Sequence, residues 1–232
     1  MELFGWLNGI SALGVVSINL LIGFYSLYKA NKLKAKLLTV TSLTIIFAGL
    51  LWLGPTVDFL KILITETNIE PVWVYPLLSY MWVAPSITLS MYIGGELLIS
   101  KKKWIIVGIF LIISIAYEFF LFSNPITSFE FVVPSPLGSD LIDTSSNYSY
   151  YTSYFLIVFI LSVLIFNGFG FLVKANQATG ILRKKFLYLS MGFIVFAVVV
   201  IFDSIVPPMI ALYIVRFGII ISSILLYLGI KS

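Results

Sequence analysis

Five ionisable residues stand inside apolar stretches of this chain: Asp58, Glu96, Glu118, Asp203 and Arg216. A charge held in hydrocarbon costs from about 2.5 kcal/mol upwards, so such residues pair with one another, face a polar cavity or bind a charged ligand. Counted along their stretches at about 1.5 Å per residue, Asp58, Glu118 and Asp203 fall within roughly a turn and a half of one membrane surface, and Arg216 about two turns below it. Asp203 and Arg216 flank a short connection, Val206-Pro207-Pro208-Met209, and differ in depth by about 6 Å. A guanidinium spans that gap by reaching upwards. The expectation is an Asp203–Arg216 ion pair, with Glu118 or Asp58 as further partners, that either fixes helix packing or floors a polar pocket for an anion or zwitterion. Glu96 lies near the opposite end of its stretch, shortly before Lys101. It is expected to reach the interface or to pair with the lysines there.

The chain has no Cys and no His, which removes disulfides, thiolate and imidazole metal sites, cysteine nucleophiles and histidine acid–base chemistry. An enzyme built on it would have to work through widely spaced carboxylates. No catalytic residue, metal ligand or cofactor site is assigned from the sequence. Aromatic residues gather on the side that carries the buried charges. Tyr80, Trp82 and Tyr213 join Asp58, Glu118, Asp203 and Arg216 as candidate walls of a ligand pocket, although Trp and Tyr also form ordinary interfacial belts. Pro55 and Pro85 interrupt their stretches and predict kinks, because proline frees a carbonyl one turn back. Gly5 with Gly9, and Ser86 with Ser90, are small-residue pairs four apart that favour close helix contact.

These residues sit in a chain that is 60% hydrophobic and 10% charged, far from the soluble average of about 25% charged. A bilayer crossing needs about 20 apolar residues. Seven stretches qualify, at residues 6–28, 37–60, 73–99, 104–122, 149–173, 186–206 and 209–230. The fold expected is an all-α integral membrane bundle of seven transmembrane helices, forming a single domain over residues 1–232.

Charge orients it. Twelve of the fourteen basic residues fall at Lys29, Lys32, Lys34 and Lys36; at Lys101, Lys102 and Lys103; at Lys174, Arg183, Lys184 and Lys185; and at Lys231. They occupy alternate gaps, which the positive-inside rule places in the cytoplasm. The other gaps carry Glu66 and Glu70, then Glu130, Asp140 and Asp143. The N-terminus is therefore expected outside and the C-terminus inside, with the first stretch a retained helix rather than a cleaved signal. The dispersed basic residues suit lipid headgroups rather than nucleic acid. The longest connection, about 123–148, lies on the outer side and is rich in turn formers, with a strand suggested at 128–133. Asn147-Tyr148-Ser149 fits a glycosylation sequon on that side.

A weak repeat relates Lys29-Ala30-Asn31 to Lys174-Ala175-Asn176, Phe47-Ala48 to Phe196-Ala197, and Pro55 to Pro207. It would set spans 1–3 parallel to spans 5–7 around span 4, a 3+1+3 arrangement; parallel repeats occur in carriers and a similar arrangement in rhodopsin-like folds, so the repeat does not choose between carrier and receptor.

Seven spans with this orientation also describe microbial rhodopsins, but a retinal Schiff base needs a lysine amine and no lysine lies within span 7, which disfavours retinal as a cofactor. Seven-helix carriers of the PQ-loop type are disfavoured, since the chain contains no Pro-Gln pair. The last third of the chain is similar to the N-terminal seven-transmembrane sensory region of some archaeal and bacterial histidine kinases. The similarity lies in Arg183-Lys184-Lys185-Phe186, Gly192 and Phe193, Asp203, the short proline turn, Arg216 and Leu228-Gly229. It implies a sensor-like domain, and with no kinase domain in this chain, output through a separate partner.

The reading is a multi-pass protein of the cell membrane, sensor- or receptor-like. A polar and aromatic pocket opens outwards to an extracytoplasmic small ligand, and the basic inner loops face a cytoplasmic protein partner or lipid. The alternatives are a small solute carrier, which would need more polar residues in the inner half than Glu96, Asn167 and scattered hydroxyls, and an intramembrane carboxylate enzyme.

Overall fold

The computed structural model describes residues 1–205 and 208–231, of which 81% are helical. Six helices are long and apolar enough to cross a membrane, and a bent pair makes up to seven. The architecture is that of a helical membrane bundle. In chain order the helices are α1 (Leu3–Leu33), α2 (Lys36–Leu50), α3 (Leu53–Thr65), α4 (Val74–Tyr80), α5 (Val83–Leu98), α6 (Lys103–Ser123), the short α7 (Pro125–Ser128), α8 (Tyr151–Ser162), α9 (Gly170–Gln177), α10 (Gly180–Ile205) and α11 (Pro208–Ile230). A π-helical segment, Val163–Phe169, joins α8 to α9. The connection expected at 206–209 includes Val206 and Pro207, which lie outside the described residues, as does the Pro207 end of the suggested repeat.

The second expected span is divided: α2 and α3 meet at 48°. Pro55 has no N–H to give the Leu51 carbonyl four residues back, and the helix breaks there, at Leu51 and Trp52. The third span is interrupted in the same way at Met81 and Trp82, four and three residues before Pro85, but Val74–Leu98 still counts as one span, without a bend above 40°. Helical bonding resumes one residue beyond each proline, from Thr56 N–H to Trp52 O and from Ser86 N–H to Trp82 O, each at 3.2 Å. Both interruptions thus follow from the ring's missing donor. The π segment has a different basis, since no proline occurs within it. Asn167 in its last turn is fully buried and donates from Nδ2 to Ser90 O at 3.0 Å, and Gly168 O accepts from Ser190 Oγ at 2.8 Å.

Packing follows from the apolar content of the helices. The main core joins Ile45, Ile87, Met91, Tyr117, Phe159, Phe171, Phe193 and Leu226. A second cluster sets Val15, Val16 and Trp52 against Val199, Val215 and Ile219. Apolar burial gains little where lipid is the solvent, so close approach and interhelical hydrogen bonds carry more of the association. Gly9 lets α1 lie on Phe59 of α3, and Gly49 lets α2 lie on Asn19 of α1: a Cβ at these positions would stand 1.9 Å from Phe59 Cδ2 and 2.3 Å from Asn19 Cβ. Polar ties join further pairs of helices. Asn19 receives the Ser223 hydroxyl of α11, Ser222 Oγ donates to Gly192 O of α10 at 2.9 Å, and Ser79 Oγ accepts from Gly54 N–H at 3.0 Å.

At one end lie the basic residues. Glu96 pairs there with Lys103, the one ion pair among the described residues, as its sequence position suggested. At the other end the long connection folds back over the bundle. The expected strand is present as β1 (Phe129–Val132), paired antiparallel with β2 (Asp143–Ser146), a partner the sequence reading did not foresee. Gly138 O accepts the Glu2 N–H at 2.8 Å, and Gly5 leaves room for this approach, its absent Cβ facing Gly138 O at 2.7 Å. The Asn147 side chain is engaged in the turn into α8, donating to Thr127 O at 2.9 Å and accepting from Ser149 N–H at 3.0 Å.

Gly9→Ala and Gly49→Ala should each lose about 1–3 kcal/mol of stability through overpacking. Gly14→Ala and Gly108→Ala, whose added methyl meets nothing within 4 Å, should stay within about 0.5 kcal/mol of the parent. Unfolding of the purified protein in mixed detergent micelles measures both sets.

Candidate functional site

The end opposite the basic clusters is a cap built on one carboxylate. Asp58, near the middle of α3, is fully buried. Its Oδ1 accepts the Ile69 N–H at 2.8 Å, and its Oδ2 accepts the Ile142 N–H at 3.0 Å, a residue 84 positions away. The Asn68 side chain adds a third donor, 3.1 Å from Oδ2 and 3.3 Å from Oδ1, and Lys61 Nζ fixes Asn68 by donating to its carbonyl at 2.7 Å. Two connecting segments, one before α4 and one between the β-strands, are thereby drawn onto the bundle. Ile69 and Ile142 then pack with Tyr75, and Leu141 packs with Phe59 and Ile62. A carboxylate with several donors is a charge-assisted anchor, and this one has spent its acceptors on the cap.

Arg216 lies beneath the cap on α11 and is 8% exposed. Its Nη2 donates to Asn8 Oδ1 of α1 at 3.0 Å. Asn8 in turn donates from Nδ2 to Asp140 Oδ1 at 2.8 Å, and that oxygen also accepts the Leu141 N–H at 2.7 Å. A relay of three side chains therefore runs from α11 through α1 into the cap. The guanidinium carbon stands 5.8 Å from the Trp52 ring centre, within the range of a cation–π contact. The other guanidinium nitrogen, Nη1, is buried with no hydrogen-bond partner.

The expected Asp203–Arg216 ion pair is not formed among the described residues. Asp203 is exposed on α10 and acts on Arg216 over Coulombic range only, as does Asp140. Depth along two neighbouring helices set the expectation, but the direction of each side chain around its helix decided the contact, and Asn8 took the place of the carboxylate.

The remaining candidates divide. Tyr80 lies under the hairpin, its ring 4.4 Å from that of Phe129, and its carbonyl accepts the Tyr117 hydroxyl at 3.1 Å. Asp203 and Asp143 lie in Coulombic range of it. Trp82 is occupied by the kink: its Nε1 donates to Leu78 O at 2.9 Å, and its ring stacks on Phe47 at 5.7 Å. Tyr213 is 38% exposed and does not face the interior. Glu118 belongs to α6, which packs on α5 and α8, whereas α11 packs on α10, α1 and α2. The fold does not bring Glu118 to Arg216, although both Glu118 carboxyl oxygens are enclosed without a partner.

Four residues of the Arg216 cluster were not singled out for it by the sequence: Asn8, Trp52, Tyr75 and Asp140. Tyr75 is 5% exposed and lies in Coulombic range of Asp58, Tyr80, Asp143 and Arg216. Asn8 offered one signal, an amide near the outer end of a largely apolar stretch. In place of the expected outward-opening pocket the structure shows an enclosed cluster, with Asp58, Tyr75 and Arg216 all buried. No protein-family model, curated protein or solved structure matches the chain.

Asp58→Ala strands two buried backbone N–H groups and should cost about 3 kcal/mol. It should also release the cap, so that limited proteolysis cuts between β1 and β2 well before the bundle is degraded. Equal protease resistance of parent and variant would remove Asp58 as the anchor.

Proposed function

We propose that this chain is a sensor- or receptor-like protein of the cell membrane, with seven spans when α2 and α3 are taken as one, its N-terminus outside and its basic ends in the cytoplasm. Its ligand is a small anion or zwitterion carrying a carboxylate, bound beneath the cap at Arg216. The observation that carries this reading is the state of Arg216: a buried guanidinium with, among the described residues, no carboxylate at ion-pair distance and with Nη1 unpartnered.

A buried charge without a counter-ion is costly, and the penalty is relieved by an anion that brings its own charge. Arginine presents its donors in a planar fork suited to carboxylate. With Nη2 on Asn8, the free Nη1 is the donor available to a ligand, and the Trp52 face supplies an apolar wall. Asp58 then serves as the anchor of the cap rather than as a ligand contact. Tyr80 and Asp203 stand at the margin of the cluster, where Asp203 can receive the ammonium group of a zwitterion.

The Arg216–Asn8–Asp140 relay gives the ligand a route to output. An anion that draws the guanidinium away from Asn8 loosens the hold of α1 and α11 on the cap. Both helices run on to the basic end, at Leu33 and Ile230, where a separate protein partner would read the change. A solute carrier is the second reading, favoured by the π segment, where the buried Asn167 Oδ1 lacks a partner. Solute flux in proteoliposomes would place that reading first.

The test is thermal unfolding of the detergent-purified protein against a panel of small carboxylates and amino acids, with Arg216→Gln alongside. At a hundred times its dissociation constant a ligand stabilises the native state by about 2.7 kcal/mol, a shift of several degrees. Arg216→Gln should abolish that shift while leaving the unliganded midpoint unchanged or raised, because it removes an uncompensated charge. A lowered unliganded midpoint, with no anion stabilising the parent, would make Arg216 a packing residue.

A further inference from the structure

A cavity of about 380 Å³ opens at the basic end, where the corner between α1 and α2 meets the end of α5, the start of α10 and the end of α11. Its walls are apolar, with Leu97, Leu182, Phe186 and Ile230 among them, and two cations, Lys36 and Lys185, complete the lining. Among the described residues no acidic side chain lines it and neither lysine is in an ion pair. Lys185 is half-buried against the cavity and Lys36 is exposed. Lys32, Lys34, Arg183 and Lys184 flank these positions in the chain, so basic residues are concentrated around the two lysines.

We infer that this cavity is a binding site for an anionic phospholipid, with an acyl chain between the apolar walls and the phosphate between Lys36 and Lys185. Two features have to be matched at once. A soluble phosphate satisfies the lysines and leaves the apolar walls wet, whereas a zwitterionic lipid fills the walls and brings no net charge to the lysines. An anionic lipid satisfies both, and basic recesses between transmembrane helices are recurrent sites for such headgroups. The volume falls in the range of about 300–1,000 Å³ typical of small-ligand sites. The inference is independent of the ligand proposed at Arg216, which lies towards the opposite end of α11.

The test titrates the detergent-purified full chain with phosphatidylglycerol, with phosphatidylcholine of the same acyl chains and with inorganic phosphate, and follows bound lipid by native mass spectrometry. Phosphatidylglycerol should bind roughly thirtyfold more tightly than phosphatidylcholine, and Lys36→Gln with Lys185→Gln should abolish that preference. Lys101→Gln with Lys102→Gln, which changes basic residues outside the cavity, should leave it intact. Leu182→Trp fills the cavity with both lysines in place and should expel the lipid, a second readout should the lysine variant fail to fold. Equal binding of the two lipids, equal loss in the Lys101 and Lys102 variant, retention by Leu182→Trp, or displacement of the lipid by inorganic phosphate would each overturn the site.

Discussion

The cap over the acidic end exists because one buried carboxylate accepts backbone N–H groups from two distant segments. Irregular chain can be buried only where its polar groups find partners. Ile69 and Ile142 meet that condition on the two oxygens of Asp58, and their side chains then close an apolar layer with Tyr75. That anchor acts with the β1–β2 pairing and the Glu2–Gly138 hydrogen bond to hold the connection between α6 and α8. Enclosed, Arg216 is a charge in a poorly screened environment, with Nη1 unpartnered.

Beneath the cap, the bundle is held by contacts that suit a lipid solvent. Two spans are interrupted one turn before a proline, and in both a tryptophan stands at the break, Trp52 or Trp82. One of these rings lies beside Arg216 and the other stacks on Phe47. Asn19, Asn167, Ser190 and Ser222 tie neighbouring helices by hydrogen bonds at buried positions. At the two ends the chemistry differs in kind: a carboxylate-anchored cap over one cation, and a cavity lined by two lysines and apolar side chains.

Much of this was legible in the sequence, and the losses have particular causes. The long apolar stretches stand out because a crossing needs about 20 such residues, and the kinks stand out because proline cannot donate. Asp58 and Arg216 were conspicuous through the cost of burying charge, but their partners were not. Position along a helix gives depth, whereas contact depends on direction around the axis and on which helices are neighbours. Asp203 met the first condition and missed the second. Asn8 and Asp140 are separated by 132 residues, and nothing local to either announces the other. The strand Phe129–Val132 was readable from its apolar residues, whereas its partner, Asp143-Thr144-Ser145-Ser146, is too polar to signal a strand before the pairing is known. The π segment likewise depends on partners elsewhere, Ser90 and Ser190, rather than on a local breaker.

The account rests most directly on the closure of the cap, and residue-resolved hydrogen–deuterium exchange of the Ile69 and Ile142 amides measures it. If Asp58 holds both, they exchange as slowly as amides in the interior of α5 and α10, and far more slowly than those of the loop residues beside them. Exchange of both amides at the rate of an open loop would contradict the account, leaving Arg216 exposed to water and its missing counter-charge without significance.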